Sequence, residues 1–71
     1  MENLRKKFGN HLKILRIQKN LTQEDLSSLS DISVDFISLI ERGINAPSFE
    51  NIEKLSNALD ISVAQLFEFK D

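Results

Sequence analysis

Polar side chains recur between residues 22 and 42, and their chemistry suits hydrogen bonds to a phosphate backbone and to base edges. Counted at about 100° per residue from Val34, one side of the segment 34–42 is free to contact a partner. The outward residues are Val34, Asp35, Ser38, Leu39 and Arg42. The opposite side carries Phe36, Ile37 and Ile40, which we expect in the core.

A short helix is predicted immediately before this segment. Thr22 is a good N-cap, and Asp25 three residues later gives the spacing of a capping box, in which hydroxyl and carboxylate satisfy backbone donors reciprocally. Leu26 and Leu29 would form the buried stripe of this helix. We therefore expect the helix to run from Thr22 to about Leu29.

A tight turn separates the two helices. Residues 30–32 break the apolar pattern, and Ser33 offers a second N-cap. Gly43 ends the second helix after Arg42, and Pro47 keeps it from resuming early. Two short helices joined in this way form a helix-turn-helix, a motif that places its second helix in the major groove of DNA.

Apolar residues at spacings of three and four predict further helices on both sides of this motif, and no strand. The first helix is expected over residues 3–19, and Gly9 inside it indicates a close helix contact. Its inward stripe is Leu4, Phe8, Leu12 and Leu15. A fourth helix is capped by Ser48 and ends near Asp60. Its core residues are Phe49 or Ile52, Leu55, Ala58 and Leu59.

A final short helix begins with a second capping box, formed by Ser62 and Gln65, and continues through Phe69. It carries more apolar surface than so short an element can bury in its own small domain, which predicts a dimer interface. The residues of this interface are Val63, Leu66, Phe67 and Phe69. The alternative is that all four close the core as a lid. We expect one all-α domain of five helices over residues 1–71.

Length, charge and composition restrict the possible functions. A chain of 71 residues can bury only a small core, which favours stabilisation by a second subunit. It has no cysteine, no apolar run long enough for a membrane span and no signal peptide, which predicts a soluble cytoplasmic protein without membrane contact. The net charge of −2 divides into +5 for residues 1–20 and −7 for residues 21–71. The first helix is the expected electrostatic footprint for DNA.

The sequence offers no catalytic or metal-binding constellation. His11 is the only histidine, and without cysteine it cannot complete a zinc ligand set. The serines have no histidine placed as a base, and the adjacent acids Glu24 and Asp25 start a helix. We expect no enzymatic activity, no cofactor, no metal and no small-molecule effector.

Five segments in order, at the appropriate spacing, give the chain a family resemblance. They are FGNHLKILR at 8–16, LTQEDL at 21–26, ISLIERG at 37–43, PSFENI at 47–52 and LSNALDIS at 55–62. The chain resembles the phage-repressor and Cro-like (Xre) helix-turn-helix transcriptional regulators over nearly its whole length, from Phe8 to Phe67. The resemblance implies a compact, lambda-repressor-like domain in which helix three enters the major groove and the start of helix two grips the DNA backbone.

The resemblance also assigns roles by position. Thr22 and Gln23 look like phosphate binders at the positive end of a helix dipole. Arg42 and Asn45 match positions that hold the backbone on the far side. The positions that face bases or nearby phosphates are Ser33, Val34, Asp35, Ser38 and Leu39.

Other matching positions are structural. Arg16 and Glu41 match a partly buried salt bridge between helices one and three, so Arg16 is not counted among the DNA contacts. Asp31 occupies the turn position where the family commonly has glycine, and Asp tolerates a left-handed backbone less well than glycine does. Ser27 replaces the small alanine that usually packs between the two helices.

The outward face of helix three departs from many relatives, which carry arginine, lysine or glutamine there. Val34 and Leu39 could pack on thymine methyl groups, and Asp35 could accept a hydrogen bond from the amino group of cytosine. Stabilisation of the helix start is an equal alternative for Asp35, and contact with another protein is the alternative for Val34 and Leu39. On the first interpretation the site is rich in A and T.

The expected function is that of a small sequence-specific transcriptional regulator, binding an inverted-repeat operator in double-stranded DNA as a homodimer. A prophage repressor, the controller of a restriction-modification operon and a DNA-binding antitoxin all fit. The competing class is a protein-binding adaptor module on the same fold.

Overall fold

Five helices and no strand are present in residues 3–69, the part of the chain that the computed structural model describes. The all-α, five-helix prediction is confirmed. The helices are α1 (Leu4–Gln18), α2 (Gln23–Ser30), α3 (Val34–Glu41), α4 (Phe49–Leu59) and α5 (Val63–Leu66). Helices α1 and α2 pack against α3, α2 also packs against α4, and α5 closes the space between α1 and α4.

Side-chain caps fix where the helices begin. Thr22, Ser33, Ser48 and Ser62 each accept a hydrogen bond from the backbone N–H three residues later, as predicted. The capping boxes of α2 and α5 are both complete. The last helix is much shorter than predicted, because the backbone leaves helical geometry at Phe67.

The turn between α2 and α3 uses a left-handed residue and two serine hydroxyls. Asp31 has φ 60° and ψ 30°, the conformation that glycine adopts most easily. Ser27 Oγ donates a hydrogen bond to the Ile32 carbonyl, and Ser30 Oγ accepts one from the Ile32 N–H at 3.3 Å. Serine hydroxyls of α2 therefore bond both backbone groups of Ile32, whose side chain is buried.

The close contact predicted at Gly9 joins α1 to the end of α3. A Cβ atom at this position would lie 2.1 Å from the carbonyl oxygen of Ile40 and 3.0 Å from that of Glu41. Such distances are far inside van der Waals contact, so only glycine lets the two backbones approach this closely. The contact fixes the orientation of α3 relative to the basic first helix.

The core contains most of the predicted apolar residues, but two predictions about it, Leu29 and Leu4, are wrong. The buried core residues are Phe8, Leu12, Leu26, Ile32, Ile37, Ile40, Leu55, Leu59 and Leu66. Leu29 is 58% exposed because the inward face of α2 runs from Leu26 to Ser30, four residues on. Leu4 and Phe49 are exposed because each begins its helix at the edge of the core; of the two alternatives in α4, Ile52 packs inward.

Candidate nucleic-acid interface

A buried ion pair fixes α3 relative to α1. Arg16 Nε donates to Glu41 Oε2 at 2.7 Å, and Nη2 donates to Oε1 at 3.1 Å. Arg16 Nη1 also donates to the Leu21 carbonyl at 2.7 Å, in the connection just before α2. The hydrogen bond with Glu41 raises the pKa of Arg16 against the opposing effect of burial. The predicted salt bridge is therefore present, and it holds three segments together.

Gln23 joins the same network, which the sequence did not indicate. Its Nε2 donates to Glu41 Oε1 at 3.1 Å, so the residue at the start of α2 is tied to the end of α3. Glu41 has only 3% of its side chain exposed and accepts bonds from both Arg16 and Gln23. The spacing along the chain is 18 residues, and no local sequence pattern relates positions that far apart.

The other residue predicted to bind phosphate, Thr22, is exposed at the start of α2. Its Oγ accepts the Asp25 N–H at 3.0 Å, while the Asp25 carboxylate accepts the Thr22 N–H at the same distance. The bond from the Thr22 N–H, followed by a hydrogen bond from the Thr22 hydroxyl to the same carboxylate, lowers the pKa of Asp25. A phosphate would compete with the Asp25 carboxylate for the proton of the Thr22 hydroxyl, whose oxygen already accepts the cap bond.

The outward residues of α3 lie where helical spacing predicted them. Ser33, Asp35 and Arg42 are exposed, whereas Val34, Ser38 and Leu39 are half-buried. The half-buried set runs along α3, with Val34 at its start and Ser38 and Leu39 in its second half, and Arg42 stands at the helix end. This surface can make apolar contacts and hydrogen bonds with base edges, with a cation beside it for a phosphate.

The chain beyond α3 folds back on it and brings part of α1 alongside. The N–H groups of Ile44 and Asn45 both donate to the Leu39 carbonyl, at 3.0 and 3.3 Å, which places half-buried Asn45 beside the helix end. Gly43 has φ 76°, and a Cβ there would lie 2.9 Å from the Cα of Lys6. The basic start of α1 therefore lies against the end of α3, a juxtaposition that the charge asymmetry alone did not locate.

The predicted dimer residues divide into two groups. Val63 and Phe67 are 44% and 40% exposed, and Phe69 is half-buried. Leu66 is fully buried, so its assignment to an interface is wrong: it faces the core of its own domain, where the single turn of α5 directs it. The ring of Phe67 contacts Phe8 with centroids 5.1 Å apart.

His11 has a structural contact with the last helix. Its Nε2 donates to the Gln65 carbonyl at 3.0 Å, and its ring lies 5.6 Å from that of Phe69.

Within residues 3–69, no three histidine, cysteine, aspartate or glutamate side chains come together to hold a metal ion. Over the same residues, no helix combines the length and apolarity needed to cross a membrane.

Five helices, a turn held by two serine hydroxyls and an outward face on α3 of mixed polar and apolar side chains define a helix-turn-helix DNA-binding domain. Comparison with known proteins agrees: the helix-turn-helix family matches residues 12–66, and the chain belongs to this family of Xre and Cro-like transcriptional regulators. It is a small DNA-binding regulator, and the family is not one of enzymes.

Several relatives are similar over nearly the whole chain. Control protein C.BamHI of Bacillus amyloliquefaciens is 40% identical over 68 residues, which cover 94% of this chain and 84% of that protein. Control protein C.MunI of a Mycoplasma species is 38% identical over 68 residues, covering 94% and 92%. The crystal structure of the restriction-modification controller protein C.AhdI of Aeromonas hydrophila has a TM-score of 0.87 and 43% identity, covering 89% of this chain and 96% of that one.

Proposed function

We propose that this protein is the controller of a restriction-modification operon, a cytoplasmic regulator that binds an inverted-repeat operator as a homodimer. The observation that carries this role is the similarity, over more than nine-tenths of the chain, to two control proteins, together with the same fold in a solved controller protein. Among the three roles that the sequence left open, it favours the controller over a prophage repressor and an antitoxin.

The buried network of Arg16, Glu41 and Gln23 supports a specific mode of binding. It holds the start of α2 and the whole of α3 as one rigid surface, so that phosphate contacts on one element fix the register of base contacts on the other. In this mode Thr22 and Gln23 hold the backbone on one side of the groove. Arg42 and Asn45 hold it on the other side.

The residues at the base-facing positions determine which base pairs the operator contains. They are Ser33, Val34, Asp35, Ser38 and Leu39. Val34 and Leu39 are half-buried on the outward side of α3 and pack on thymine methyl groups. Asp35 is exposed in the first turn of α3 and accepts a hydrogen bond from cytosine N4. The resulting half-site is rich in A and T, and the two half-sites are about one helical turn apart.

Selection of bound duplexes from a random pool, at about 0.1 M salt, tests this function. An enriched inverted repeat that also occurs upstream of the protein's own gene, next to restriction and modification genes, would support the controller role. Enrichment at other genes alone would overturn the role while leaving the regulator. No enrichment by the folded protein would overturn sequence-specific binding and favour the protein-binding adaptor.

A matched pair of variants shows whether the selected sequence is read by α3. Leu39→Ala removes the proposed contact with a thymine methyl group, and Leu29→Ala removes an equally large side chain from the exposed end of α2. Loss of discrimination at one base pair of each half-site is expected for the first variant and an unchanged preference for the second. An unchanged preference in both would remove Leu39 from the base contacts.

A further inference from the structure

An apolar groove opens between the start of α1, the loop before α4, and the end of α5. Its volume is about 220 Å³, and its lining includes Leu4, Phe8, Ile52 and Phe67. Phe8 forms the floor from within the core, whereas Leu4 and Phe67 are exposed at the sides. A cavity of about 150 Å³ is enough to bind benzene, so this groove is large enough for one phenyl ring.

Phe49 stands at the edge of the same groove. It is the first residue of α4 and is 89% exposed, the largest exposed fraction among the bulky apolar side chains of residues 3–69. An aromatic side chain can bury roughly 150–250 Å² in a contact. Each copy of the chain thus presents an unburied ring and, directly beside it, a groove of matching size and polarity.

We propose that a second copy of this chain places its Phe49 ring in this groove, and that the contact is reciprocal. The inference rests on the proposed homodimer and names the contact that forms it. A two-fold axis makes an interface of one self-complementary patch, so ring and groove must be neighbours on the same surface. Phe49 meets that condition because it lines the groove that its counterpart enters.

The area available on α5 shows why a further contact is required. A stable interface buries about 800 Å² on each partner. With Leu66 buried in the core, the large apolar side chains exposed by α5 and its C-cap are Val63 and Phe67. Two side chains fall well short of that area, whereas Phe49 and the groove extend the same surface continuously through Phe67.

Charges beside the ring and the groove are also complementary. Arg5 lines the groove, and its Nη1 donates a long hydrogen bond of 3.4 Å to the Ile44 carbonyl. Glu50 follows Phe49, has 77% of its side chain exposed, and pairs loosely with Lys54 at 3.8 Å. A second copy that inserts Phe49 brings its Glu50 towards Arg5, and the two-fold axis repeats the pair.

Sedimentation equilibrium of Phe49→Ala in the absence of DNA tests the contact. We expect the dimer dissociation constant to rise about tenfold or more, as for the central aromatic residue of an interface. Leu29→Ala is the matched control, because Leu29 is 58% exposed but does not line the groove. Since Phe49 is so exposed, thermal unfolding of the monomer should be unchanged, which separates a lost contact from a lost fold.

A charge reversal provides a second, independent measurement. Arg5→Glu and Glu50→Arg should each weaken the dimer, and the double variant should regain most of the lost affinity if the two residues face each other across the axis. Additive weakening in the double variant would overturn this pairing.

Failure of the inference can be distinguished from failure of the proposed function. If Phe49→Ala dimerises as tightly as the natural protein while Val63→Glu dissociates, the dimer forms through α5 and the groove contact is overturned. If the natural protein remains monomeric at the concentrations at which it binds its operator, the proposed homodimer is overturned together with the groove contact.

Discussion

At the scale of single residues, Glu41 is a buried carboxylate whose charge depends on two partners. Its carboxylate is almost fully buried and is compensated by Arg16, which is itself buried, and by the amide of Gln23. A buried charge that loses its partner is costly, whereas an exposed ion pair contributes little. The same carboxylate links α1, α2 and α3, so its loss should affect both stability and DNA binding.

We expect Glu41→Ala to lower the free energy of unfolding by about 3–5 kcal/mol, because the Arg16 guanidinium would be left buried without its partner. Urea denaturation followed by circular dichroism measures the change. Glu53→Ala, which removes an exposed carboxylate from α4, is the control and should change stability by less than about 0.5 kcal/mol. Equal effects in the two variants would contradict the structural role of Glu41.

At Asp31, in contrast, a substitution is expected to raise the stability of the domain. Its φ of 60° costs a residue with a Cβ more than it costs glycine, so Asp31→Gly should stabilise the domain by about 0.5–1 kcal/mol. Asp31→Ala keeps the Cβ and removes the carboxylate, and should destabilise. Melting temperatures of the two variants test this: if both move in the same direction, the left-handed backbone does not determine the effect.

At the scale of helices, the α1–α3 contact determines where the outward face of α3 points. Gly9 is inside a helix, where alanine would normally be preferred by about 1 kcal/mol. The steric conflict with the Ile40 carbonyl outweighs that preference, because backbone atoms at 2.1 Å must separate before a Cβ can fit. Separation would also strain the Arg16–Glu41 pair, which spans the same two helices.

Gly9→Ala is therefore expected to destabilise by about 1–3 kcal/mol despite its better helix propensity. Asn10→Ala, at the adjacent exposed position, should instead stabilise by a few tenths of a kcal/mol. Chemical denaturation of both variants gives the comparison. Stabilisation by Gly9→Ala would show that the two helices are not in close contact in solution.

At the scale of the whole molecule, we expect DNA affinity to depend on a few cations placed beside α3 rather than on the net charge of −2. Lys6 packs against the end of α3, and Arg42 ends that helix. Affinity obtained from phosphate contacts falls with salt because counterions are released. The logarithm of the binding constant falls by about 0.9 per contact for each tenfold rise in salt concentration. The contribution of a cation can therefore be separated from that of a neutral donor.

Arg42→Ala should weaken binding to operator and random DNA alike and should reduce the salt slope by about 0.9 for each bound copy. Gln23→Ala should weaken binding without altering the slope, because an amide displaces no counterion. Fluorescence anisotropy at several salt concentrations measures both values. A changed base preference in Arg42→Ala would place that residue among the base contacts.

Local signals in the sequence determined the helices and most of the outward face of α3. Capping residues such as Thr22, Ser33 and Ser62 act within one turn of chain, and the period of the apolar residues marks the inward side of a helix, so both can be recognised without knowledge of the fold. The same logic located the turn at residues 30–32 and the close contact at Gly9, whereas the turn position of Asp31 came from the family resemblance. The Arg16–Glu41 bridge came from the family resemblance and not from these local signals.

Tertiary structure decided the burial and the contacts that depend on segments far apart in the chain. Whether Leu29, Phe49 or Leu66 is buried depends on which distant helix covers it, and periodicity cannot distinguish the centre of a buried face from its edge. The hydrogen bond from Gln23 to Glu41 and the groove beside Phe49 likewise join segments far apart in the chain. The sequence by itself determined which elements form, because their signals are local. Only packing between distant segments decided which surfaces remain free for the proposed contacts with DNA and with a second copy.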